Sequence, residues 1–305
     1  MLFTERTYIT SAFKPGGELI MKLFKKITFS ALAAVFAVTA SFAGAASAAG
    51  SLSGKITVNG STALLPLTLQ AAKEFQKMNP KVRIAASGKG SVTGPQAVKK
   101  GIADIGACDW DASIDVPGFK AFSGQVANKV AVIPFATIVN KNVGVDNLTT
   151  EQLRGIYSGK ITNWKEVGGA DADIVVITRA FGSGTRVNYQ AKALAGGDIV
   201  KKEKNYKETG SSGDMKTAVA TTPNAIGYID LVYVSGDVKA VKYNGVAATT
   251  GNVINGSYKI WAYGYYMTKG QPTGAVKAFI DYVQSKKFQQ GSLKKLKFIP
   301  ISAMK

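Results

Sequence analysis

The chain has 305 residues with 38 basic and 19 acidic side chains, a formal net charge of +19, one cysteine and no histidine. An intramolecular disulfide, a Cys/His metal site and a histidine-based catalytic triad are thereby excluded. Lysine is scattered rather than gathered in a stripe, which argues against a nucleic-acid partner and for a solvated basic surface.

In chain order, the first signal begins at Met21, in MKLFKKITFSALAAVFAVTASFAGAASAAG. Lys22, Lys25 and Lys26 form a basic start, residues 27–40 an apolar core, and Ala46-Ser47-Ala48 a small-x-small cleavage site. This is the pattern of a secretory signal peptide over 21–48, with 1–20 an upstream extension and Met21 the expected start. Cys108 is the only cysteine, so none stands at the cleavage point. The expected product is exported, soluble and not a lipoprotein. Residues 49–305 suffice for one large domain or two small ones.

Beyond the leader, short apolar strands alternate with helical patterns, which predicts α/β architecture. Residues 55–58 read as a strand. Leu65, Leu69, Ala72, Phe75 and Met78 mark one helical face, stopped by Asn79-Pro80. Val82, Ile84 and Ala86 alternate as a second strand, a short helix runs through Ala97 and Val98, and 102–107 form a third strand. A long apolar strand covers 130–139. Thr149 and Gln152 have capping-box spacing for a helix over 150–157. A β-branched run from Ile174 ends in Arg179, before a helical stretch over 187–194. Strands over 225–234 and 259–267 follow, then a helix with Val276, Phe279, Ile280 and Val283 on its face.

Three junctions share one design. Asn59-Gly60-Ser61-Thr62, the turn from Gly88 to Gly94 and Gly182-Ser183-Gly184-Thr185 each follow a strand and open a helix. Each directs free backbone N–H groups, a helix dipole and hydroxyls toward one place, which suits an oxyanion. Arg179 adds a planar positive charge beside the third. No Walker lysine follows Gly184-Thr185 and no Gly-x-Ser-x-Gly elbow has a histidine partner, so neither nucleotide hydrolysis nor acyl chemistry is expected. The reading is of a binding protein with no catalytic residue, no metal and no cofactor.

Asp109 follows the third strand, where an open α/β sheet presents its ligand edge. A carboxylate in an anion site fits a ligand that carries a proton. Hydrogen phosphate donates to it, whereas fully ionised sulfate meets repulsion. The alternative is that Asp109 merely caps a turn. Cys108 reads as a small buried residue, with no base to activate it.

Gly60-Ser61-Thr62, Gly90-Ser91, Ala103-Asp104-Ile105-Gly106 and Arg179 with Gly182-Ser183-Gly184-Thr185 occur in the order found in the phosphate-binding proteins of bacterial ABC transporters, which this chain resembles. LTTEQLRGIYSGKITNWKEVGG, residues 148–169, is highly characteristic of that family. The resemblance implies a type II periplasmic-binding-protein fold: two lobes, two mixed sheets flanked by helices, and a ligand in the interlobe cleft. Residues 49–136 and 262–305 would form lobe 1 and 137–261 lobe 2, with crossings near 134–137 and 261–265. The implied phosphate contacts are Ser61, Thr62, the backbone of Ala63, Ser91, Asp109, Arg179, Ser183, Gly184 and Thr185. The implied partner is the permease of an ABC transporter, and a monomer is expected. Rival readings are a binder of sulfate, molybdate or tungstate, a phosphate sensor, a phosphatase, or a binder of nucleic acid or the envelope surface.

Overall fold

The computed structural model describes residues 52–201 and 204–304; the expected leader and upstream extension lie outside them. Strand β1 (Ser53–Gly60) buries Ile56 and Val58 and leads into helix α1 (Leu65–Met78). The residues that α1 buries are Leu67, Thr68, Ala71, Ala72 and Phe75, while Leu69 and Met78 are 51% and 47% exposed. The predicted face was therefore rotated by part of a turn. Two apolar stripes overlap on this helix, and both contain Ala72 and Phe75, so helical periodicity alone does not choose between them.

Strand β2 (Lys81–Gly88) and strand β3 (Ile105–Cys108) flank β1, both parallel to it, with α2 (Thr93–Lys99) between them in sequence. The third strand starts at Ile105 rather than 102, and Ile102 is exposed in the turn after α2. Backbones meet closely here. A Cβ on Gly106 would lie 2.5 Å from the carbonyl carbon of Gly94 and 2.8 Å from the nitrogen of Pro95. Gly106→Ala must push α2 off the sheet, and we expect it to lower unfolding free energy by about 1–3 kcal/mol in urea denaturation.

Strand β4 (Gln125–Asn140) is the spine of the molecule. The rest of the chain supplies β5 (Asn147–Leu148), α3 (Thr150–Ser158), β6 (Val175–Arg179), α4 (Gly184–Lys192), β7 (Tyr206–Thr209), α5 (Ser212–Thr221) and β8 (Ala225–Asp230). Then come β9 (Val238–Ala240), β10 (Lys242–Tyr243), α6 (Thr250–Ile254), β11 (Trp261–Lys269) and α7 (Gly274–Gln284), followed by two short helices. The main sheet runs β2-β1-β3-β11-β4-β8-β6-β7, with β9 also on β4.

From Gln125 to Pro134, β4 pairs with β11; from Phe135 to Val139 it pairs with β8. Two mixed half-sheets thus share one strand. A proline in a central strand normally breaks the ladder. Pro134 is tolerated because it sits where β4 changes partners, and Phe135 N–H resumes bonding to the Ile260 carbonyl at 2.9 Å.

The stretch 148–169 serves the second half-sheet. Thr149 and Gln152 form the predicted capping box, and Asn163 with Glu166 forms another. The buried Trp164 indole donates to the Asn224 carbonyl at 3.0 Å, pinning this segment to the start of β8. Beneath β6, the rings of Tyr189 and Tyr228 stack with centroids 4.3 Å apart. The Tyr228 hydroxyl meets Thr178 Oγ1 at 2.7 Å and accepts from Arg179 N–H at 3.2 Å. This aromatic platform fixes the end of β6 where Arg179 emerges.

Candidate anion site

The first turn leaves β1 at Gly60, whose φ of 130° suits glycine and lets the Ala107 carbonyl come close. Ser61 N–H donates to that carbonyl at 2.8 Å. Ser61 Oγ accepts from Leu64 N–H at 3.1 Å and donates to Asp109 Oδ1 in a short contact. Thr62 Oγ1 accepts from Ser212 N–H at 3.1 Å and Arg179 Nη2 at 3.3 Å. Ala63 is fully buried beside them and offers only its backbone.

The second turn hangs from the first, because Lys89 and Gly90 N–H groups both donate to the Gly60 carbonyl, at 3.0 and 3.1 Å. Ser91 Oγ accepts from Asp109 N–H at 3.2 Å. Val92 N–H reaches across to the Gly182 carbonyl at 3.1 Å. Asp109 lies immediately beyond β3 with its carbonyl held by Asn188 Nδ2 at 2.9 Å. Burial pushes its carboxyl up to about 6, opposed by hydrogen bonds from Ser61 and Ser91 and by the Arg179 charge.

The third turn faces these two. Ser183 caps α4 by accepting from Arg186 N–H at 3.3 Å, and Gly184 and Thr185 form the buried first turn of that helix. Gly184 lies against Ser91 and Asp109, and a Cβ there would be 2.5 Å from Asp109 Oδ2. Arg179 is 1% exposed. Its guanidinium donates to the Thr209 and Gly210 carbonyls at 3.3 and 3.0 Å and to the hydroxyls of Ser212 and Thr62, both at 3.3 Å. Burial pulls its pKa down. Among the described residues no carboxylate makes an ion pair with it.

Of the nine residues named from the sequence, Ser61, Thr62, Ser91, Asp109, Arg179 and Gly184 are joined by direct contacts, and Ala63, Ser183 and Thr185 are buried in the same turns. Ser61, Thr62, Ser91 and Asp109 form one wall, backed by Ala63. Arg179, Ser183, Gly184 and Thr185 form the other. Val92 and Thr93 have other work, Val92 across the cleft and Thr93 in a bond to Asn59 Oδ1 at 3.2 Å. Cys108 is wholly buried and its thiol is pushed well up by that burial, as befits an inert residue.

Sequence reasoning missed Ser212. It opens α5 after β7, in Gly210-Ser211-Ser212-Gly213, a fourth turn of the same strand-turn-helix design. The rule that found the other three also applies here. Tyr233, whose hydroxyl donates to the Thr62 carbonyl at 3.0 Å, had no such signal. Nor did the aromatic pair at the rim: Phe119 and Phe181 stack with centroids 4.8 Å apart, and Trp110 packs behind at 4.9 Å from Phe119.

A curled α/β sheet with a buried, polar, arginine-bearing cleft is the design of a PBP-superfamily binding protein, and a match to the PBP superfamily domain spans residues 45–287. The phosphate-binding protein PstS of Bacillus subtilis is 38% identical over 254 residues, covering 83% of each chain. That of Pseudomonas aeruginosa is 28% identical over 82% of this chain and 84% of its own. The chain belongs to the PstS family. Among solved structures, one described as a phosphate ABC transporter substrate-binding protein with bound phosphate, from Clostridium perfringens, superposes with a TM-score of 0.75 at 36% identity. It covers 81% of this chain and 100% of that one. An ABC-type phosphate transport receptor from Vibrio cholerae gives a TM-score of 0.62 at 29% identity over 80% and 99% of the two chains.

Proposed function

We propose that this chain captures inorganic phosphate in the cleft and delivers it to the permease of an ABC transporter. The observation that carries this reading is Arg179, a buried guanidinium with no ion-pair partner among the described residues. A desolvated charge of this kind calls for a counter-anion. The hydroxyls of Thr62 and Ser212 lie against it, and the PstS relatives name the anion.

Ser61, Thr62, Ala63, Ser91 and Asp109 hold one side of the phosphate; Arg179, Ser183, Gly184 and Thr185 hold the other. Lobe 1 comprises 49–136 and 262–305 and lobe 2 comprises 137–261, moving about the partner exchange in β4 and the start of β11. The protein is a binding protein and not a catalyst. It works as a monomer in the periplasm, exported by the cleaved leader over 21–48.

Asp109 reads the proton of the ligand. As a carboxylate it accepts from hydrogen phosphate and repels sulfate. Its folded pKa is raised to about 6, so it is ionised above that pH and protonated below. Calorimetric titration of ligand-stripped protein at pH 7.5 is expected to show phosphate binding and little sulfate binding. Sulfate binding should strengthen at pH 5, and Asp109→Asn should admit sulfate at both. If wild-type protein binds sulfate as tightly as phosphate at pH 7.5, the proton-reading role is wrong.

A further inference from the structure

Asp230 ends β8 and is fully buried, yet it belongs to none of the turns that face the cleft. Its Oδ2 accepts from Ser212 Oγ at 2.8 Å, while its Oδ1 has no hydrogen-bond partner. A buried carboxylate with one bare oxygen is costly in its charged form. Ser212 Oγ in turn receives Arg179 Nη1 at 3.3 Å and lies 3.2 Å from Thr62 Oγ1. Asp230 thus stands one hydroxyl behind two groups of the anion site, one from each wall.

We propose that Asp230 is a positioning residue that orders Ser212, Arg179 and Thr62 and takes up a proton when an anion fills the cleft. The inference rests on the cleft being the phosphate site.

The charges around Asp230 explain the coupling. Arg179 faces it from β6 and Asp109 from the end of β3. Ser212 and, through Arg179, Asp214 belong to α5, and Tyr233 belongs to the turn after β8. From β4, the paired residue is the apolar Phe135. Burial pushes the Asp230 carboxyl up to about 7; the Ser212 hydrogen bond opposes this, Asp109 adds to it, and Arg179 opposes it. A phosphate held between Arg179 and Asp109 engages the positive charge and brings further negative charge. Both changes favour the protonated acid. The proton comes from bulk water and settles on the bare Oδ1, while Oδ2 goes on accepting from Ser212, so the hydroxyl chain to Arg179 and Thr62 is kept. The sign follows. Asp230 raises affinity while it is protonated, and that gain is lost as pH rises through about 7.

Phosphate titrations of the whole mature protein at pH 7, in two buffers of different ionisation enthalpy, test this. Wild type is compared with Asp230→Asn and Asp230→Ala, with affinities also taken at pH 6 and 8. Phosphate's own proton exchange is common to all three and cancels in the differences. Wild type should take up about half a proton more per phosphate than Asp230→Asn, as expected for a group titrating near the working pH. Its affinity should fall between pH 6 and 8 more steeply than that of Asp230→Asn. At pH 6 Asp230→Ala should bind about tenfold more weakly, and Asp230→Asn, which still offers Ser212 an acceptor, should restore most of that loss. Equal proton uptake in wild type and Asp230→Asn would overturn the proposal even if both bind well. Failure of wild type to bind phosphate at all would instead overturn the assignment of the cleft.

Discussion

Arg179→Ala is expected to weaken phosphate binding at least a hundredfold, about 2.7 kcal/mol. Arg179 is 1% exposed, its backbone N–H donates to the hydroxyl of the stacked Tyr228, and its guanidinium is held by the Thr209 and Gly210 carbonyls, so its fork is aimed before any ligand arrives. Charge-assisted hydrogen bonds contribute about 1.5–3 kcal/mol each, and a planar fork makes two at once. Removing the side chain also removes a desolvated charge that no carboxylate pairs with among the described residues. Affinity should therefore collapse without loss of the fold, which calorimetry and a thermal melt of the same sample will show together. Arg179→Lys should also bind poorly, because a single ammonium cannot replace the bidentate geometry. Near-normal phosphate affinity in Arg179→Ala would remove this residue from the site.

Gly184→Ala is expected to cost ten- to a hundredfold in affinity for a different reason. The added methyl would lie 2.5 Å from Asp109 Oδ2 and 2.6 Å from its Cβ, and closer still to Ser91 Oγ. These neighbours belong to the opposite wall, so the clash exists only when the walls meet. Overpacking of this kind costs about 1–3 kcal/mol, which falls on the closed form alone. The ligand-free variant should melt like wild type. In small-angle scattering it should fail to contract on adding phosphate. A variant that contracts and binds normally would show that the two walls do not approach as closely in solution.

The parts of this site that were legible in the sequence share a property: each is written locally. A short apolar or β-branched strand, followed by Gly, Ser and Thr and then a helical period, declares a turn with free N–H groups within about ten residues. Ser61, Ser91 and Ser183 were found in this way. Ser212 sits in the same kind of turn, but the strand before it, Tyr206–Thr209, carries no apolar or β-branched run because it lies at the sheet edge. Asp230 has no local signature at all. It reads as one polar residue inside the strand predicted over 225–234, which instead ends at Asp230 and gives way to a helical turn. Only the pairing of β8 with β6 brings it behind Ser212. The rotated face of α1 is a further case in which packing against the sheet, and not periodicity, made the choice.

The stacked rings of Phe119 and Phe181 bridge the two walls at the rim and belong to none of the polar turns. Such a stack contributes about 0.5–1.5 kcal/mol. Because neither ring carries a polar group to meet an anion, the stack is expected to favour closure equally for every anion inside. It thus bears on how long a captured ion dwells, by up to about tenfold in escape rate, and not on which ion is chosen. Retention and discrimination are thereby assigned to separate side chains, and the time available for handing over the cargo can vary between relatives that recognise the same ion.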